Sequence, residues 1–251
     1  MSDTAARLVE RLEATDAGHD FPTVRPRDAA TMIIIDRARP APQVLLGRRH
    51  AGHKFMPGKF VFPGGRVEPI DRRMASASPM DPRVEARLMQ RTQRPSPQKA
   101  RAFVLAAIRE TFEETGLMLG AKSPTTGGTA VRSPGAPWDA FAAAGVAPDL
   151  AAVHFVARAI TPPGRLKRFD TRFFAVDAGA IAARQEGVVG PDTELTELVW
   201  LPIAEASRLD MSAITTAVLE ELTDRIDKGF AHDLPVPFYG MAHRRRTREL
   251  L

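Results

Sequence analysis

The stretch Ala106-Ala107-Ile108-Arg109-Glu110-Thr111-Phe112-Glu113-Glu114-Thr115-Gly116-Leu117 sets three carboxylates and an arginine inside an otherwise apolar helical pattern. With Phe103 at 0° and about 100° per residue, Phe103, Val104, Ala107, Ile108 and Thr111 share one arc, the expected core face. Glu110, Glu113 and Glu114 fall on the adjoining arc at i, i+3 and i+4, and Arg109 stands one turn before Glu113. Like charges at that spacing repel by roughly 0.2–0.5 kcal/mol per pair, and by more where the arc turns toward the core. Taken alone, the pattern reads equally as a solvated acidic helix end or as an anchorage for a hard divalent cation such as Mg²⁺, which takes oxygen ligands. Glu110 and Glu114 lie nearest the core edge and should be the most rigid.

Working outward, Ser96-Pro97 opens this helix as N-cap and first helical residue, and Gly116 closes it with Leu117 as the hydrophobic contact. Upstream, residues 31–35 form a β-branched run expected of a strand covered on both faces. Residues 43–49 make a second strand, giving a hairpin. Phe60-Val61-Phe62 is a short strand followed at once by Pro63-Gly64-Gly65, where two glycines let backbone approach a ligand or metal. Asp81-Pro82 starts a helix running to about residue 93. Further strands are expected over residues 153–161, 171–176 and 198–201, and helices over residues 3–14, 203–209 and 212–228. Strands and helices mix without βαβ alternation. The expected fold is therefore α+β, one mixed β-sheet sandwiched between helices. The expected organisation is an N-terminal helix and lead-in (1–28), a main domain (29–232) with insertions at about 72–97 and 120–150, and an extended basic tail (233–251).

Composition narrows the function. The chain has 251 residues, 44% of them hydrophobic, enough for a sizeable core. It lacks an apolar run near 18 residues, so no membrane span is expected. The first 20 residues have no apolar signal-peptide core. With no cysteine, disulfides and thiolate metal sites are excluded and a reducing cytoplasm is expected. A net charge of +5 favours polyanionic ligands such as phosphates. Nucleic acid is not the expected partner, since the chain has one Tyr and two Trp and no basic helix with interleaved aromatics.

At Gly64-Gly65 and residues 109–117 the chain resembles the Nudix hydrolases, whose box is G-x5-E-x7-R-E-U-x-E-E-x-G-U with U aliphatic. Arg109 to Leu117 matches the second half, with Thr111 in one aliphatic slot, and Gly65 to Asp71 matches G-x5-E with Asp71 replacing Glu. Residues 72–108 supply 37 positions where the family usually has 7, so the box is split. A narrower resemblance is to the coenzyme A diphosphatase branch, including its peroxisomal members (Nudix motif 19) and bacterial relatives. It rests on Leu45-Leu46-Gly47-Arg48-Arg49-His50, Lys54, Phe55-Met56-Pro57-Gly58, Phe62-Pro63-Gly64-Gly65 and Arg168-Phe169-Asp170-Thr171-Arg172-Phe173-Phe174. Gly47, His50 and Lys54 depart from that branch's pattern, and Glu249-Leu250-Leu251 is no peroxisomal address.

The resemblance implies the Nudix fold, an α/β/α sandwich with helical insertions, and hydrolysis of a nucleoside diphosphate linked to another group, dependent on Mg²⁺ or Mn²⁺. Coenzyme A or acyl-coenzyme A is the favoured substrate. The alternatives are ADP-ribose or another nucleotide sugar, a dinucleoside polyphosphate, or a non-catalytic nucleotide sensor. It implies Glu110, Glu113 and Glu114 as metal ligands with the carbonyl of Gly64, and Arg109 orienting the glutamates. Arg48, Arg49, Lys54 and Lys59 are the expected phosphate contacts, with Arg168 and Phe169 as further substrate contacts. Glu194 and Glu197 are the candidate general bases. The expected partner is a small nucleotide substrate, and a homodimer is left open.

Overall fold

The structure is a computed structural model that describes residues 3–15, 21–22, 24–53, 56–122, 132–243 and 245–251. In chain order the elements are α1 (Asp3–Ala14), β1 (Arg27–Asp36), β2 (Gln43–Arg49), β3 (Phe60–Val61), β4 (Gly64–Arg66), a 3₁₀ turn (Pro69–Arg73), α2 (Pro82–Met89) and α3 (Pro97–Thr115). There follow β5 (Leu117–Leu119), β6 (Ala121–Lys122), α4 (Trp138–Ala143), β7 (Val146–Ala147), β8 (His154–Ile160) and β9 (Phe169–Asp177). The last are β10 (Ile181–Arg184), β11 (Leu195–Pro202), α5 (Ile203–Ala206), α6 (Ala213–Asp227), β12 (Pro237–Ala242) and β13 (Arg245–Leu250).

The main sheet runs β11-β2-β1-β9-β8-β12-β13, with β3 on β2 and β4 on β1. It is mixed: β1 with β9 and β8 with β12 are parallel, and the other pairs are antiparallel. β1 shows why the sheet lies between layers. Met32, Ile33, Ile34 and Ile35 are all fully buried. Met32 and Ile34 face a core with α3, while Ile33 and Ile35 face a second core with α1 and α6. Side chains alternate across a strand, so an unbroken apolar run needs two covered faces.

The hairpin of β1 and β2 holds only at its closed end, where Ile35 faces Val44 and Asp36 faces Gln43. Beyond that the strands separate. β3 fills in against β2 and β4 against β1, setting Gly64 opposite Thr31 and Gly65 opposite Ala30. The gap between the two strands is thus occupied by a tight turn carrying the Gly-Gly pair, with one arm paired to each strand.

The segment expected as an insertion belongs to the core. Met74, Met80, Val84 and Leu88 pack with Trp138, Phe141 and Leu150. Trp138 and Phe141 are fully buried, tilted against each other at 5.0 Å, and Phe141 meets Phe112 edge-on, which makes them core rather than base-stacking rings. α2 stops at Met89, short of residue 93, and α5 stops at Ala206, short of residue 209.

Residues 233–251, expected as an extended basic tail, differ most. β12 and β13 complete the sheet, and α1 packs against β13 through the face bearing the buried Leu8 and Leu12. Tyr239 is fully buried, its hydroxyl donates to Glu221, and Arg248 donates to both oxygens of that carboxylate at 2.7 and 3.0 Å. The basic residues thus lie on an ordered edge strand; of the Arg244–Arg246 run, Arg244 lies outside the described residues. Among the described residues no helix is long and apolar enough to cross a membrane.

If these strands are structural, deleting residues 237–251 removes the buried Phe238 and Tyr239, each worth roughly 1.5–3 kcal/mol of burial, and should cut stability by several kcal/mol. Thermal unfolding followed by circular dichroism checks this; an unchanged Tm would return the segment to the status of a tail.

Candidate active site

α3 is positioned from both ends. The Ser96 hydroxyl accepts the Lys99 N–H at 3.2 Å. Gly116 sits at φ 76°, and a Cβ there would lie 2.1 Å from the Gln185 carbonyl oxygen. The expected core face is buried throughout. The opposite face is buried as well, because the turn Pro69–Arg73 and α2 lie over it.

That second cover explains Arg109. It projects away from the sheet, yet only 3% of its side chain is exposed. Its Nε and Nη2 donate to Asp71 Oδ1 and Oδ2 at 2.8 and 3.2 Å, and Asp71 is fully buried. Nη2 also donates to the Arg66 carbonyl at 2.8 Å, and Nη1 donates to Glu110 Oε1 at 2.9 Å and Glu113 Oε2 at 2.5 Å. One guanidinium therefore joins the end of the box's first half to its second half across 38 positions.

The three glutamates grade in exposure from Glu113 (38%) to Glu110 (17%) to Glu114 (6%). The Gly64 N–H donates to Glu114 Oε2 at 3.2 Å. β1 bonds to this turn through Met32 N to Pro63 O and Val67 N to Asp28 O. Antiparallel ladders alternate, so Gly64 and Arg66 turn their backbone groups away from β1. The N–H of Gly64 and the carbonyl of Arg66 meet α3, and the Gly64 carbonyl leaves the ladder on the same edge. Gly64 is sterically required, whereas a side chain at Gly65 would displace the flexible end of Glu110. A Cβ on Gly65 would lie 2.4 Å from the Glu110 carboxyl carbon, and one on Gly64 would lie 2.6 Å from the Ala30 oxygen.

Burial is the main cause that pushes Glu110 up from its ordinary 4.5 to about 7, against the pull of Arg109. Burial likewise holds Glu114 well above its ordinary value, with the charges of Glu194 and Glu110 adding to the effect and the Gly64 N–H and Arg49 opposing it. Glu194 therefore lies within electrostatic reach of Glu114. Its carboxylate pairs with Arg49 Nη2 at 2.9 Å, and the buried Arg49 Nε has no hydrogen-bond partner among the described residues. His50 joins here through its N–H to the Glu194 carbonyl at 3.0 Å.

Other expected contacts do not gather at this centre. Arg48 alternates with Arg49 along β2, and it turns to the α6 face, where it lies over Phe60 and pairs with Glu197 at 3.4 Å. Glu197 is therefore across the sheet from the glutamates, on the face of Val199 and Leu201. Lys59 pairs with Asp210 before α6. Arg168 and Phe169 line a separate cleft at the start of β1 and β9. Lys54 lies outside the described residues. Among the described residues no three acidic or histidine side chains converge as a ready-made cation cage; Glu110 and Glu113 are turned onto Arg109.

Among solved structures the chain is similar to a Nudix hydrolase from Alicyclobacillus acidocaldarius, at 28% identity over 78% of this chain and 90% of that one, with a TM-score of 0.57. The chain has the Nudix fold. Weaker likenesses include a MutT protein from Methanosarcina mazei (16% identity, 82% of this chain and 99% of that one, TM-score 0.43). Another is the Nudix domain of Shewanella oneidensis NrtR complexed with ADP ribose (11%, 81% and 90%, TM-score 0.44). No family model and no curated protein matches.

In this Nudix-fold chain the donor set at the box is all oxygen and short of positive charge, which fits a hard divalent cation. Sequence reasoning did not find the Arg109–Asp71 bond or the Arg49–Glu194 pair. The strand period was a usable signal for the second, since adjacent residues of β2 cannot both face α3.

Removing one partner of a buried ion pair costs roughly 3–5 kcal/mol, so Asp71→Ala should destabilise the protein by about that amount in urea titrations. Glu110 gives a pH test. Its value is raised on folding, so the stability it leaves intact below pH 4.5 is lost as pH rises through about 7. In EDTA, Glu110→Gln should therefore raise Tm more at about pH 8 than at about pH 5; an equal gain at both would show that the carboxylate is not penalised by burial.

Proposed function

We propose that the chain is a divalent-cation-dependent pyrophosphohydrolase cleaving the phosphoanhydride of a nucleoside diphosphate linked to another group. The favoured substrate is coenzyme A or acyl-coenzyme A, giving 3′,5′-ADP and a 4′-phosphopantetheine. The observation that carries this reading is the rejoined box: Arg109 binds Asp71, Glu110 and Glu113 at once, and Glu114 takes the Gly64 N–H. The coenzyme A preference is supported by the wording of residues 45–50 and 62–65.

Glu110, Glu113 and Glu114, with the Gly64 carbonyl, would hold Mg²⁺ or Mn²⁺. Such ions neutralise phosphate oxygens and lower the pKa of bound water. Arg49 is the phosphate contact best supported, because its Nε is buried and unpartnered. Glu194, held by Arg49 beside Glu114, is the general base in this reading. Glu197 drops behind it, since the sheet separates it from the carboxylates. Arg109 is a positioning residue that fixes the directions of Glu110 and Glu113. A purely sensing role is disfavoured by the retention of all three glutamates in the second half of the box.

Purified protein with Mg²⁺ and coenzyme A should release 3′,5′-ADP, resolved by chromatography. Turnover of ADP-ribose or a dinucleoside polyphosphate with none of coenzyme A would sink the substrate assignment and keep the reaction class. Glu114→Gln should lower kcat by about 10²-fold or more, as expected for loss of preorganised electrostatic stabilisation. Glu194→Gln should also impair kcat, while Glu197→Gln should leave the rate near that of the unsubstituted protein.

A further inference from the structure

A cleft of about 1410 Å³ opens where β1, β8 and β9 meet the first turn of α3. Eight cationic side chains line it against three acidic ones. That excess of five equals the net charge of the whole chain, so the remainder of the protein is balanced. Two of the acids already have partners in the wall. Asp170 is held by Arg158 at 2.7 and 2.8 Å, and Asp28 by Lys99 and by the buried Arg172, each at 3.0 Å. Neither is free to attract a cation. By contrast Arg27, Arg66 and Lys167 have no carboxylate partner among the described residues. The rim carries exposed Val24 and Leu166, the latter 68% exposed.

The cleft is distinct from the carboxylate centre and shares a wall with it. Lys99 and Glu110 are eleven residues apart on α3, about 16 Å along its axis. The shared wall is the segment after Gly65. Gly65 abuts Glu110, and the next residue, Arg66, gives its carbonyl to Arg109 and its side chain to the cleft. Ligand pockets typically run to about 300–1,000 Å³, so a nucleotide-sized molecule fits. Unpaired guanidinium and ammonium groups with adjoining apolar surface suit a phosphate on a partly apolar small molecule.

We propose that this cleft binds a phosphate group other than the diphosphate that is hydrolysed. The phosphate is carried either by the substrate itself, which rests on the reaction proposed above, or by a separate small anion. Titration calorimetry of the full chain in EDTA, with 3′,5′-ADP and with inorganic pyrophosphate as probes, reads the cleft without turnover. The double variant Arg27→Gln/Lys167→Gln alters two exposed side chains and should keep the Tm of the unsubstituted protein. It should weaken binding about tenfold or more, since hydrogen bonds between charged groups are among the strong ones.

Steady-state kinetics with coenzyme A and dephospho-coenzyme A then separate the sources. A higher KM for coenzyme A alone, at unchanged kcat, assigns the phosphate to the substrate. Lost probe binding with both KM values unchanged assigns it to a free anion. Equal binding by the two proteins, or no binding by the unsubstituted one, overturns the proposal. A protein that hydrolyses neither compound sinks the proposed function and leaves the calorimetric result to decide the cleft.

Discussion

The Arg109 guanidinium is the interaction on which the site depends. It is nearly as inaccessible as the isoleucines of β1, and a buried cation is tolerable only when its charge and its N–H groups are met. Asp71 meets the charge face on, the Arg66 carbonyl accepts a further hydrogen bond, and Glu110 and Glu113 take the remaining fork. The partners belong to three local structures: the 3₁₀ turn, β4 and α3 itself. Because the fork of an arginine is planar and rigid, satisfying all of them fixes three elements relative to one another within hydrogen-bond tolerance. No lysine could do this from the same position.

The backbone around this cation is shaped to the same end. β1 and β2 part after a short closed end, and the turn from β3 to β4 enters between them. Its inner edge is bonded to β1, and its outer edge presents an N–H to Glu114 and a carbonyl to Arg109. Two glycines allow α3 to press its carboxylates onto that edge, where a single methyl on Gly65 would collide with Glu110. The elevated values of Glu110 and Glu114 follow from this close seating, since the carboxylates lose water before they gain a countercharge.

Much of this was legible in local patterns. The caps at Ser96 and Gly116, the two-faced run of β1 and the mixed α+β sheet all follow from short-range chemistry, and the structure has each of them. The grading of exposure along Glu113, Glu110 and Glu114 also followed from the helical wheel. The misses are non-local. A wheel assumes one buried side, so it does not reveal that the inserted segment covers Arg109. Arg48 and Arg49 were read together, although a strand sends neighbours to opposite faces. The segment bearing Phe238 and Tyr239 read as a tail because proline and arginine obscure its short apolar stretch. Its place beside β8 depends on pairing with residues some eighty positions away.

The split of the box has a consequence for how the chain reaches its native state. In the unsplit pattern the acidic residue of the first half and the arginine of the second are eight positions apart. Here Asp71 and Arg109 are separated by 38, Gly64 and Glu114 by 50, and Arg49 and Glu194 by 145. Closing longer loops costs conformational entropy before the contacts return it, and folding slows as the mean separation of contacts rises. The carboxylates of α3 are therefore not aligned by their own helix. Their alignment rests on contacts that the sheet makes by drawing β4, the 3₁₀ turn and the start of β11 together.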